Sequence, residues 1–267
     1  MGSRPAAGRV LLAAALLLLL LPGFALAHPE DEFCVPGESG LDPALCQALA
    51  DLDSADTDAS DVLRDSTGAA RSGWSTFGLY VTIGIGHILP AGLDHILFVL
   101  ALFLSSTCVR QLVIQISTFT VAHTVTLGLA AAGFITPVSA MVEPVIAASI
   151  AFVAVENLFV DGMPRWRPLV VFVFGLVHGL GFAGFFGELG LPKEQFLSGL
   201  IGFNVGVEIG QLSVVAAAFG VSWLARHKTE SLHERGDYRR NVVMPASLVI
   251  ALTGTWWAAE RTLAALA

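Results

Sequence analysis

Charge is scarce in this sequence. Only 13% of its 267 residues are Asp, Glu, Lys or Arg, against about 25% in soluble domains. With 55% hydrophobic residues, that balance excludes an ordinary water-soluble domain and points to lipid. Cysteine is scarce too: Cys34, Cys46 and Cys108 are the only three, and none sits within an apolar stretch. A thiolate site inside the membrane is thereby excluded. No run alternates apolar and polar residues as a barrel strand must, and lipid admits only helices or closed barrels. The GxxxxGK[ST] pattern is absent, which excludes ATP hydrolysis by a P-loop, and HExxH is absent, which excludes the common zinc-protease helix.

The first 27 residues have a short basic start (Arg4, Arg9), the apolar run VLLAAALLLLLLPGFALA and small residues at Ala25 and Ala27. This is the pattern of a secretory signal peptide cut before His28, with an uncleaved first membrane helix as the alternative. Residues 28–73 invert the composition, with eleven acids facing two bases, Arg64 and Arg71, for a local charge of −9. Such a segment buries little and reads as an acidic extracytoplasmic tail. Cys34 and Cys46 both lie in it, and an oxidising compartment predicts a disulfide between them, whereas Cys108 has no evident partner.

Residues 74–267 form the membrane domain: an all-α bundle of about six transmembrane helices, each needing roughly 20 apolar residues to cross about 30 Å of hydrocarbon. The stretches are about 75–104, 111–132, 139–160, 168–188, 195–224 and 241–262. Pro90 beside Gly92 predicts a kink or a break in the first. The connections at 105–110, 161–167 and 225–240 carry eight bases and the opposite side carries four (Arg64, Arg71, Lys193, Arg261). The positive-inside rule therefore agrees with an N-terminal tail outside the inner membrane.

Ionisable side chains in the middle of such helices are expensive, and each is a functional candidate. They are His87, Asp94 and His95 in the first stretch, His123 in the second, Glu143 and Glu156 in the third, His178 in the fourth and Glu208 in the fifth. At about 1.5 Å per residue, His87, His123, His178 and Glu208 come to one depth near the midplane. Asp94, His95 and Glu156 fall deeper toward the cytoplasm and Glu143 nearer the outside. His87 and Asp94, seven apart, share a helical face, as do Asn204, Glu208 and Gln211. Several imidazoles with carboxylates suit a divalent transition metal, proton relays use the same residue types, and a lone histidine in a bundle also serves as an interhelical hydrogen-bond partner. Glu143, followed by Pro144, fits a helix start equally well.

Five ordered segments, GHILPAGLDHILFVLAL (86–102), FTVAHTVTL (119–127), VEPVIAASIAFVAVEN (142–157), FGLVHGLGFA (174–183) and FNVGVEIGQ (203–211), make residues 74–224 resemble the HupE/UreJ family of membrane proteins. That family is associated with hydrogenase and urease and is regarded as nickel or cobalt permeases. The first motif departs in reading Gly86-His87-Ile88 where the better-known branch has histidine followed by proline, and the acidic tail lies outside the family's pattern. The resemblance implies metal handling by His87, Asp94 and His95. His123, His178, Glu156 and Glu208 match its other motifs, and their depth makes them further candidate ligands.

The leading expectation is a permease for a divalent metal, nickel first and cobalt, zinc or copper next. Its partners would be the metal ion as substrate and the lipid bilayer, with no nucleic acid; a second copy or an accessory protein stays open. The alternatives are an intramembrane zinc hydrolase, in which three histidines and an aspartate activate water, and a non-transporting accessory protein for metalloenzyme maturation.

Overall fold

The protein, here a computed structural model, is described over residues 72–106, 108–183, 193–228 and 235–266. The expected signal peptide, nearly all of the acidic tail and the expected Cys34–Cys46 disulfide lie outside these residues. Every described element is helical, as the apolar runs require: α1 Gly73–Ile88, α2 Leu93–Ser105, α3 Val109–Ala131, α4 Ser139–Phe159, α5 Arg167–Gly181, α6 Lys193–Lys228, α7 Arg235–Tyr238, a π turn Arg239–Val243 and α8 Met244–Leu266.

Local chemistry sets the ends. Ser72 caps α1 by accepting a hydrogen bond from the Ser75 amide at 3.3 Å, satisfying one of the free amides of the first turn. Gly133 ends α3 with a φ of 81°. Its N–H donates to the Ala130 carbonyl and that of Phe134 to Leu129, both at 2.9 Å, the pairing that closes a helix through a left-handed residue.

Among the described residues, four helices are long and apolar enough to cross a membrane: Val109–Ala131, Ser139–Phe159, Gln195–His227 and Arg239–Leu266. The first expected span is a broken pair, α1 and α2, bent by 72° around the cis Leu89–Pro90 bond. Gly92 lets the chain turn back, since a Cβ there would strike the His87 carbonyl oxygen and come 3.0 Å from Ile88 Cα. Within the fourth expected stretch, 168–188, the described residues form α5, which ends at Gly181 after 15 residues, about 22 Å at the α-helical rise and short of about 30 Å of hydrocarbon.

α1 packs on α6, α3 on α5 and α4 on α8. Glycines allow the close approaches: a Cβ on Gly206 would lie 2.9 Å from Gly84 Cα, the small-on-small contact that lets membrane helices touch backbone to backbone. Val121, Val125 and Leu129 on α3, Ile201, Val205 and Ile209 on α6, and Leu248 and Leu252 on α8 face outward, an apolar surface suited to lipid.

Candidate metal centre

His87 occupies the last turn of α1 and His95 the first turn of α2. Because the chain bends between them, their rings lie 4.8 Å apart, centroid to centroid. α3 brings His123 to 6.2 Å from His87 and 5.9 Å from His95, and α5 brings His178 to 5.0 Å from His95. One ligand nitrogen from each of His87, His95 and His123 lies within 4.8 Å of the other two. α5 can come this close because of its glycines. A Cβ on Gly175 would lie 2.6 Å from the Phe119 carbonyl oxygen, and one on Gly179 would strike the His123 carbonyl and the Thr126 hydroxyl.

Two of the rings are oriented by relays that end on backbone carbonyls. The Asn204 amide donates to the Leu200 carbonyl at 2.8 Å, which turns its Oδ1 toward His123 Nδ1 at 3.1 Å. Assigned from this network, the His123 proton sits on Nδ1 and the lone pair on Nε2, a buried atom with no hydrogen-bond partner. The Ser149 hydroxyl donates to the Ile146 carbonyl at 2.7 Å and so accepts from His178 Nε2 at 2.9 Å. That leaves the lone pair of His178 on Nδ1, also buried and unpartnered. A ring that donates one N–H to a fixed acceptor and offers the other nitrogen is the usual arrangement of a metal-binding histidine.

Aromatic rings wall the cluster. Phe182 lies 4.2 Å from His87 and stacks on Phe203 at 4.9 Å. Phe119 and Phe98 lie 5.0 Å and 5.3 Å from His178. His95, His123 and His178 are at most 6% exposed. Neutral nitrogen donors in an apolar shell suit nickel, copper, zinc or cobalt better than magnesium or calcium, which take oxygen. Three nitrogens no more than 4.8 Å apart can all lie within about 2.8 Å of a common point. Closing to metal–nitrogen bonds of about 2.1 Å takes an inward shift of at most roughly 0.7 Å per ring.

The structure therefore gathers the four histidines, His95 included, and sends the three carboxylates elsewhere. Counting residues along an unbroken helix set His95 deeper than His87; the 72° bend returns it to the cluster. The same bend removes the shared face of His87 and Asp94. Asp94 accepts from Arg261 Nη1 at 2.9 Å and Nη2 at 3.2 Å. Glu156 pairs with the buried Arg167. Glu208 accepts from Ser117 at 2.7 Å and from Thr120. Ser149 and the two arginines carry no local signal in sequence: Ser149 is one hydroxyl among small apolar residues, and each arginine stands at a helix end where a solvated or membrane-flanking role is ordinary.

The family model described as HupE / UreJ protein matches residues 63–261. The chain belongs to the HupE/UreJ family. It is accordingly a multi-pass membrane protein for which metal involvement is implied, and the histidine cluster is where its side chains suit a metal. No curated protein matches the chain, and no solved structure does.

Proposed function

We propose that this HupE/UreJ protein is a permease that carries a divalent transition metal, nickel foremost, across the inner membrane through the histidine cluster, from an extracytoplasmic side bearing the acidic tail. One observation carries the reading: His87, His95 and His123, from three different helices, bring ligand nitrogens within 4.8 Å of one another, with His178 against His95. A group that only packed a bundle would have its ring nitrogens satisfied, and His123 Nε2 and His178 Nδ1 are not.

The chemistry is ligand exchange. A hydrated cation sheds water as imidazoles replace it, and the phenylalanine walls keep bulk water out of the exchange. Without its own ATP hydrolysis, inward movement draws on the membrane potential, about 2.3 kcal/mol per charge per 100 mV, or about 4.6 kcal/mol for a divalent ion. The acidic tail raises the local cation concentration at the outer mouth.

The test is metal accumulation in cells expressing the chain, grown in mixed trace nickel, cobalt, zinc and copper. Nickel is expected to rise above the empty-vector level, and His87→Ala, His95→Ala and His123→Ala each to return it there while the protein stays in the membrane. Unchanged accumulation in all three variants overturns the reading.

A further inference from the structure

Three helices leave the histidine cluster in one direction and meet again at a second polar knot. Along α2, Ser105 lies ten residues beyond His95; along α4, Glu156 lies seven beyond Ser149; along α5, Arg167 lies eleven before His178. At the helical rise these offsets are about 15, 10 and 16 Å. The Arg167 guanidinium is 1% exposed. It donates to Glu156 Oε2, to the Ser105 hydroxyl and to Asn157 Oδ1 at 3.0 Å.

Two of the three acceptors are held in place from outside the knot. Ser105 donates its own proton to the Leu102 carbonyl at 2.9 Å, and the Asn157 amide donates to the Ala101 carbonyl at 2.8 Å. Both oxygens are thereby fixed toward the positive group. The second carboxylate oxygen, Glu156 Oε1, is buried and has no hydrogen-bond partner.

On the far side from the histidines lies a cavity of about 260 Å³ whose wall includes Ser105, Ser106, Asn157, Asp161 and Arg226. Ser105 and Asn157 thus belong to both the knot and the cavity wall. A buried ion pair adds little net stability over an apolar replacement, so packing alone does not account for this one. A carboxylate, an amide oxygen and a hydroxyl around one positive charge are the donor set of a hard-cation site.

We propose that Arg167 is a tethered cation occupying a second, oxygen-lined cation site between the histidine cluster and this cavity, and that the divalent cargo leaves the protein by exchanging with it. The site itself stands independently of transport; the exchange step rests on the permease reading. Exchange keeps the buried Glu156 compensated throughout. As the divalent ion takes the Glu156, Asn157 and Ser105 oxygens, the guanidinium moves into the cavity, where Asp161, already 3.6 Å from Arg239, offers another carboxylate. While Arg167 is in place its charge blocks the passage to other cations.

The probe is Mn2+ alone, which prefers oxygen to imidazole, counted by its electron paramagnetic resonance signal on detergent-purified protein. Arg167→Gln is expected to bind Mn2+ at least tenfold more tightly than wild type, and Arg167→Gln/Glu156→Gln to lose the gain. Arg167→Gln that still binds nickel at the histidines but takes up Mn2+ no more tightly than wild type overturns the proposal. Should Arg167→Gln alone not fold, the double variant, which buries no unpaired charge, decides by nickel flux into proteoliposomes. Flux at least tenfold below wild type with unchanged nickel binding supports the exchange, and wild-type flux overturns it. Wild-type protein that moves no nickel defeats the permease reading and the exchange step, while the manganese measurement still decides the site.

Discussion

Replacing Asn204 by alanine tests how the centre is tuned without touching a ligand. Asn204 is 5% exposed, and its Oδ1 holds the His123 Nδ1 proton at 3.1 Å. Without that acceptor the ring keeps a buried N–H unsatisfied, at about 1–3 kcal/mol, or shifts the proton to Nε2 and loses the lone pair that faces the cluster. Either outcome weakens metal binding by about 10- to 100-fold, equivalent to roughly 1.4–2.7 kcal/mol. Asn204→Asp keeps the acceptor, adds charge to it and makes His123 a stronger donor, so its affinity should equal or exceed that of wild type. The assay is equilibrium dialysis of nickel against detergent-solubilised protein, with circular dichroism to confirm helix content. Folded Asn204→Ala protein that binds nickel as tightly as wild type refutes the tautomer argument.

Ser149→Ala removes the acceptor of His178 and should lower nickel affinity by about 10- to 100-fold, read in the same dialysis. Gly179→Ala forces a methyl against the His123 carbonyl, a backbone atom that cannot step aside; it should destabilise the protein by about 1–3 kcal/mol in a thermal assay, whereas Gly220→Ala, with open space around it, should be silent. Asp94→Asn and Arg261→Gln each strand a partly buried partner, and a double-mutant cycle in denaturant should give a coupling of about 0.5–3 kcal/mol; strict additivity would show that the pair does nothing. Cys108, free and exposed, should react with a membrane-impermeant maleimide from the cytoplasmic side alone when Cys34 and Cys46 are serine, which checks the orientation.

The long helices were legible because lipid imposes a length and a composition that a chain shows openly. The Pro90 break was legible as well, but its direction was not, and the direction decides the site. A 72° bend converts the seven-residue offset of His87 and Asp94 from a shared face into two separate neighbourhoods, and carries His95 back to a ring it was expected to pass by. The ion pairs were hidden for another reason. Arg261 reaches Asp94 across 167 positions, and Arg167 reaches Glu156 from the next helix, so each arginine read locally as a flanking charge. The face shared by Asn204, Glu208 and Gln211 was visible in the spacing along α6, but its counterparts on α3, His123, Ser117 and Thr120, become partners only once the helices pack.

The order in which the histidines leave the ribosome has its own consequence. His87, His95 and His123 enter the bilayer early, the fourth imidazole only with α5, and the asparagine that sets the His123 tautomer more than a hundred residues after His87. A nascent or truncated chain that ends before α6 therefore carries the first three histidines without the residue that fixes the His123 tautomer. Loss of that acceptor weakens binding without abolishing it, so on the proposed metal reading a chain cut before α6 should hold nickel less tightly than the completed bundle.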